Sequence, residues 1–173
     1  MSYLSRESSS IPEELWDKID STVVNTARGV LTGRKFLTIY GPLGIGTDSI
    51  VLDDSDIVDE EYEDNLITTK GRKFMEIPLV YNDFTLLARD IERSAQYGTP
   101  VDLSKAAIAA EVCARKEDQF IFFGDAAHGY EGLLTAHGIN KMKKSDWSVG
   151  ENAFSDIAAA LELFRTNNIY GTY

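Results

Sequence analysis

The clearest candidates for catalysis lie in a glycine-rich stretch, residues 124–138 (GDAAHGYEGLLTAHG). It contains both histidines of the chain, His128 and His137, and Asp125 lies three residues before His128. A histidine, a carboxylate and a serine are the groups of a hydrolytic triad. However, no nucleophile-elbow motif surrounds any serine, and a glycine-rich loop would not hold an imidazole firmly. We therefore interpret both histidines as exposed loop residues and expect no enzymatic activity.

Two other stretches have residue types that bind ions. Residues 53–64 (DDSDIVDEEYED) contain eight acidic side chains in twelve positions. A calcium loop needs glycine at its sixth position and an oxygen ligand at its fifth, where this sequence has Val58 and Ile57. The segment GPLGIG, residues 41–46, matches neither the P-loop nor the dinucleotide-binding fingerprint. We predict an extended, solvated acidic loop, a turn at 41–46, and no metal or cofactor.

Composition excludes several classes of protein. The 173 residues include 17 basic and 28 acidic side chains, a net charge of −11, which argues against a phosphate-binding nucleic-acid surface. Cys113 is the single cysteine, so it cannot form an internal disulfide, and we expect it to be a small buried residue. No apolar run has the length of a membrane span or of a signal-peptide core. We expect a cytoplasmic protein.

The element that must position the remainder is a predicted helix across residues 101–124. Asp102 can cap this helix, and small or apolar side chains recur along it at steps of three or four residues. They are Leu103, Ala106, Ala110 and Cys113, flanked by Ala107, Ala109 and Ala114. Such a helix is typical of a spine around which other elements pack. The apolar residues 120–123 that follow fit either a helix that enters a second core or a buried strand after the helix.

Other helices are predicted from the same periodicity. Ser10 and Glu13 form a capping box for a helix that Gly33 would end. Its apolar face consists of Leu15, Ile19, Val23, Ala27 and Leu31. Residues 84–97 predict a second helix with Asp83 as cap and Gly98 as stop. Residues 153–164 predict an amphipathic helix that ends at Asn167 and Asn168.

Extended structure is predicted in two places. Residues 34–40 (RKFLTIY) alternate between apolar and polar side chains as a strand does. Residues 47–80 suggest a long two-stranded excursion with a charged tip, of which residues 74–81 form the returning strand. Such an arm has little core of its own, so it needs a neighbour on which to lie.

Three motifs in the same order resemble the encapsulin shell proteins. They are LTGRKFLTIYGPLGIG at 31–46, FMEIPLVYNDFTLLARDIERS at 74–94 and AEVCARKEDQFIFFGDAAHGYEGLLTAHG at 110–138. The resemblance implies the α+β fold of tailed-phage major capsid proteins, the Hong Kong 97 type, incomplete in this chain. It divides the chain into an arm, interior helix and first strand (1–46), an extended loop (47–80), a peripheral domain with the spine helix (81–124) and the start of an axial domain (125–173).

The resemblance also implies function. Many copies would form an icosahedral nanocompartment in the cytoplasm that encloses a cargo enzyme, a ferritin-like iron-storage protein or a peroxidase. The cargo's C-terminal peptide would dock between the first helix and the peripheral domain, on Ala27, Leu31, Arg34 and Thr38. Equally, Ala27 and Leu31 could simply pack their helix onto its own domain. Contacts between subunits would involve the extended loop through Asp53, Asp54, Asp59, Glu60, Lys70 and Arg72.

The sequence departs from the family in two respects. Encapsulin shell proteins continue well beyond the position that matches Tyr173, so we expect a fragment or the N-terminal part of a split shell protein, completed by a second polypeptide. Some relatives bind a flavin on a tryptophan, whereas the matching positions here are Leu87, Ala88 and Arg89, so we expect no flavin. The rival function is a phage capsid that packages DNA, which the acidic composition opposes.

Overall fold

The computed structural model describes residues 6, 9–52, 59–63, 66–70 and 73–171. The α-helices in this part of the chain are α1 (Glu13–Val30), α2 (Ala88–Tyr97), α3 (Ser104–Phe123) and α4 (Gly150–Thr166). The strands are β1 (Ser49–Leu52), β2 (Asp59–Glu63), β3 (Leu66–Lys70), β4 (Lys73–Glu76), β5 (Gly124–Asp125) and β6 (Tyr130–Glu131). The chain forms two compact units, residues 1–133 and 134–173.

The core of the first unit lies where α1 packs on α3. Leu15 and Ile19 of α1 are buried, and α3 contributes small side chains to the same core, Ala106, Ala109, Ala110 and Ala114. Alanine lets two helix backbones approach closely, and close packing maximises dispersion contacts. The predicted spine helix is therefore confirmed. Asp102 caps it as predicted, since its carboxylate accepts a hydrogen bond from the backbone N–H of Ser104 at 2.9 Å.

The predicted ends of α1 were wrong. Pro12, with an extended backbone, occupies the N-cap position, where no side chain caps the helix, so the predicted capping box does not form. The helix ends at Val30, and Gly33 lies in a short 3-10 helix, Gly33–Lys35. Gly33 is buried, and a Cβ placed on it would lie 2.7 Å from Cδ1 of Ile121. Glycine is required here for packing against α3 and not as a helix stop.

The strand predicted across residues 34–40 is absent from the described structure. Its first residues belong to the 3-10 helix and the remainder is irregular, with Phe36 60% and Tyr40 83% exposed. A strand exists only where a second strand supplies hydrogen bonds, and among the described strands none pairs with this segment. The alternating pattern was real, but its partner is not among these elements. Residues 41–46 form the predicted loop and turn.

The predicted two-stranded excursion is confirmed. β1 pairs antiparallel with β4, so that Ser49 lies opposite Glu76, and β2 pairs antiparallel with β3, so that Asp59 lies opposite Lys70. The returning strand stops at Glu76, earlier than the pattern of residues 74–81 indicated. We refer below to β2 and β3 together as the acidic hairpin.

The remaining helices confirm the predicted elements with shifted boundaries. Helix α2 begins at Ala88 with Leu87 at its N-cap, so the predicted cap at Asp83 is wrong, but it ends as predicted at Gly98 in the left-handed conformation (φ 65°). Residues 120–123 form the last turn of α3, which rules out a buried strand there. Helix α4 ends at Asn167, and Asn168 has a positive φ of 57°, as the break at these asparagines predicted.

Candidate peptide-binding groove

A groove of about 720 Å³ lies on the first unit, between α1, α3 and the irregular segment that follows β4. One wall is formed by Ala27 and Leu31 at the C-terminal end of the first helix region. The facing wall includes Ala110 and Cys113 of α3, and Leu79 belongs to the segment after β4. Because most side chains that line it are aliphatic and several are alanine, the groove is shallow-walled and apolar. A cleft of this kind accommodates apolar side chains of a ligand.

A single ion pair crosses one part of the groove. The guanidinium of Arg34 donates two hydrogen bonds to the carboxylate of Glu117, and Nη2 lies 2.8 Å from Oε2. This hydrogen bonding raises the pKa of Arg34 above its ordinary value. Bidentate pairs of this geometry fix both side chains, so the groove has one oriented polar feature among apolar walls.

Arg34 is positioned by an aspartate on α3. The backbone N–H groups of Thr32 and Gly33 donate to the Asp118 carboxylate at 2.8 and 3.0 Å. These bonds hold the start of the 3-10 helix against α3. Partial burial pushes the pKa of Asp118 upward, but the hydrogen bonds from Gly33 and Thr32 outweigh it, so the pKa lies below its ordinary value.

The lowered pKa of Asp118 predicts an acid-dependent loss of stability. Its contribution to the free energy of unfolding is fully present above the unfolded pKa of about 3.9 and disappears as pH falls through the lower folded pKa. Asp118→Asn should lower the free energy of unfolding at neutral pH by about 1 kcal/mol and remove this part of the pH dependence. Denaturant titrations between acidic and neutral pH measure both effects. Asp83→Asn, at an exposed position, is the control, and equal pH profiles for the two variants would contradict the assignment.

The structure brings three of the four predicted cargo-binding residues together. Ala27, Leu31 and Arg34 line the groove, whereas Thr38 is exposed and is not among the lining residues. Sequence reasoning missed Glu117 and treated Cys113 as a buried core residue, although it is only partly buried and faces the groove. The signal was present, because positions 106, 110, 113, 117 and 120 follow a helical repeat and all line this groove.

The residues predicted for the subunit contact are only partly described. Asp59 and Glu60 lie on β2, opposite Lys70 and Thr69 of β3. Asp53, Asp54 and Arg72 lie outside the described residues. Their proposed role in contacts between subunits stays a prediction.

The histidine loop matches its interpretation as exposed structure. His128 Nδ1 lies 3.0 Å from Asp125 Oδ2, and the imidazole stacks on Tyr130 while 66% of the His128 side chain is exposed. The hydrogen bond from His128 lowers the pKa of Asp125. The described part of the chain holds no group of three histidine, cysteine or acidic side chains placed for a metal ion, and none of its helices could span a membrane.

Comparison with known proteins connects this architecture to shell proteins. All 173 residues match a family model described as the encapsulating protein for peroxidase. The type 1 encapsulin shell protein of Myxococcus xanthus is 39% identical over 179 residues, covering 99% of this chain and 62% of its own. A diheme-cytochrome-encapsulin shell fusion protein of Kuenenia stuttgartiensis is 43% identical, covering 95% of this chain and 47% of its own. This chain thus spans roughly half to three fifths of the length of these relatives.

A solved structure supports the same assignment. The virus-like particle from Pyrococcus furiosus superposes with a TM-score of 0.53 at 25% identity, covering 84% of this chain and 54% of that one. The predicted fold class, the α+β fold of Hong Kong 97 type capsid proteins, is confirmed. With the family model matched over its full length, this chain belongs to the encapsulin shell-protein family.

Proposed function

We propose that this protein is a structural subunit of an icosahedral nanocompartment whose shell encloses a cargo enzyme. The groove between α1 and α3 carries this proposal, because it offers an apolar binding surface at the positions expected to receive a cargo peptide. Within the subunit, residues 1–46 would supply the arm and interior helix, 47–80 the loop that reaches a neighbour, 81–124 the peripheral domain and 125–173 the start of the axial domain. The cargo would be a peroxidase, as the family description suggests, or a ferritin-like protein.

Exposed apolar surface supports assembly. On α3, Ile108 and Phe123 are each 59% exposed, and on α4, Phe154 is 77% and Ile157 54% exposed. Apolar surface on this scale marks interaction sites. We propose that further shell protein covers these faces, supplied by neighbouring copies and by a C-terminal shell segment, on this polypeptide or on a separate one.

A DNA-packaging capsid is the alternative with the same fold. A shell that binds DNA needs cationic surface for phosphate, whereas this chain has a net charge of −11. The charge therefore favours a protein cargo.

The mass of the purified assembly tests the proposed function. The chain should be expressed alone and together with the C-terminal part of an encapsulin shell protein, and each sample analysed by size exclusion with light scattering and by negative-stain microscopy. We expect closed shells of uniform diameter when the C-terminal part is present. Small monomers in both samples would contradict the proposed function.

A substitution in the groove should weaken cargo binding. Ala27→Leu adds bulk to an apolar wall, so we expect the affinity for the C-terminal peptide of the encapsulated enzyme to fall at least tenfold, about 1.4 kcal/mol. The matched control is Ala88→Leu, an exposed alanine on α2 that does not line the groove. Fluorescence anisotropy of the labelled peptide measures the affinity.

The single cysteine gives an independent measure of where the peptide binds. Cys113 lines the groove, so a bound peptide should slow its reaction with a maleimide reagent. If the peptide binds while the labelling rate and the Ala27→Leu affinity are both unchanged, the groove is not the docking site.

A further inference from the structure

Charge is distributed unevenly along this chain. Residues 134–173 contain four basic and four acidic side chains, so the whole net charge of −11 lies in residues 1–133. Three of those four basic side chains fall within four positions, Lys141, Lys143 and Lys144, and all three are exposed. The second unit therefore carries a local cationic surface on a strongly acidic protein.

The loop that carries these lysines is held in place by Asp156 of α4. The Asp156 carboxylate accepts hydrogen bonds from the backbone N–H of Ser145 at 2.7 Å, from Ser145 Oγ at 2.8 Å and from Trp147 Nε1 at 2.8 Å. The ammonium of Lys144 lies 4.9 Å from the ring centroid of Trp147. We call Lys141, Lys143, Lys144 and Trp147 the lysine patch. A surface fixed in this way loses little conformational entropy on binding.

The lysine patch lacks acidic partners of its own. In the part of the chain that the structure describes, neither Lys141 nor Lys143 forms an ion pair. Beside the patch, Met142, Trp147 and Ile157 border a small apolar pocket of about 200 Å³. Lysines around an apolar centre suit a partner that is acidic and folded, since the charges can steer it and the pocket can bury part of it.

The acidic hairpin has the complementary properties. Four of the five residues of β2 (DEEYE) are acidic. The two strands pair only with each other, and within the described residues of the first unit they contact no other helix or strand. A two-stranded hairpin is marginally stable in water unless it packs on another surface. The hairpin therefore needs a surface, and its charge requires a cationic one.

We propose that the acidic hairpin of one copy docks on the lysine patch of a second copy. This inference rests on the proposed function, because it requires neighbouring subunits, and it names the surface that receives the hairpin. Contacts between exposed charges weaken with salt, since the screening length is about 8 Å at physiological ionic strength. Assembly should therefore be sensitive to salt.

Zero-length crosslinking locates the contact directly. Shells assembled from equal amounts of ordinary and ¹⁵N-labelled protein should be treated with a carbodiimide, which joins a carboxylate to an amine only where they touch. We expect isopeptide bonds between the lysines of the patch and Asp59, Glu60, Glu61 or Glu63, with light and heavy peptides joined to each other. Crosslinks confined to peptides of one isotope would place the hairpin on its own chain and overturn the inference.

Charge reversal provides the functional test. The triple variant Lys141→Glu, Lys143→Glu, Lys144→Glu should reduce the assembled fraction at least tenfold at low salt, and Asp59→Lys, Glu60→Lys, Glu61→Lys in the same chain should restore it. The control makes the same change of charge elsewhere, with Arg89→Glu, Arg93→Glu and Lys105→Glu, and should assemble without this rescue.

The outcomes separate the two proposals. If the unmodified protein forms shells but neither the crosslinks nor the loss and rescue are found, the docking of the hairpin is wrong and the shell function stands. If the unmodified protein, with its C-terminal part, forms no shells, the proposed function fails and this inference fails with it.

Discussion

Gly132→Ala should destabilise the first unit by about 3 kcal/mol or more. A Cβ at position 132 would lie 2.3 Å from the backbone N of Gly124 and 2.5 Å from the backbone C of Phe123. These are backbone atoms, which cannot rotate away as the end of a side chain can. The end of α3 and the β5–β6 hairpin therefore meet at a contact that admits no side chain. Chemical denaturation followed by circular dichroism measures the change.

A second glycine provides the control for Gly132. Gly29 lies inside α1, and a Cβ there has nothing within 4 Å. Because alanine favours the interior of a helix, Gly29→Ala should stabilise the protein by about 0.5–1 kcal/mol. The two substitutions add the same methyl group and should have effects of opposite sign. Equal denaturation midpoints for the two variants would show that the backbones do not meet at Gly132.

Ile19→Ala should lower the free energy of unfolding by about 2–4 kcal/mol. Ile19 is 4% exposed and packs against α3, where the facing residues are alanines. Alanine side chains cannot move to fill the space that the larger side chain leaves, so we expect a residual cavity. Among the described residues only Leu15 is another large side chain in this core, so each one contributes a large share of the stability.

Val24→Ala on the same helix is the control for Ile19. Val24 is 43% exposed, and its truncation should cost no more than about 0.5 kcal/mol. The same denaturant titrations apply, on protein kept below the concentration at which it assembles. If both variants lose the same stability, α1 does not pack on α3 through Ile19.

Helices were the best-predicted part of this fold, because their signals are local. The repeat of small side chains along α3 and of larger ones along α1 depends only on residues three or four positions apart. Gly98 ended α2 as predicted because its left-handed conformation is a property of one residue. The excursion was also predicted correctly, since strands separated by a short charged tip pair with each other.

Strand and helix boundaries failed where distant residues decide. Residues 34–40 alternate as a strand does, but Asp118 holds the preceding turn against α3 and no described strand lies beside the segment. Gly33 has the residue type of a helix stop, yet the side chain of Ile121 is what requires a glycine there. Neither Asp118 nor Ile121 is near these positions in the sequence.

The groove shows the same division. The family resemblance pointed to Ala27, Leu31 and Arg34, and the helical repeat of α3 contained the opposite wall, but the sequence did not indicate that these two sets face each other. The ion pair between Arg34 and Glu117 joins residues 83 positions apart. By itself the sequence determined the helices, the acidic excursion and the family, because periodicity, charge and motifs are local. Only the tertiary structure decided which faces meet, since packing and ion pairing depend on distances in space that the order of residues does not specify.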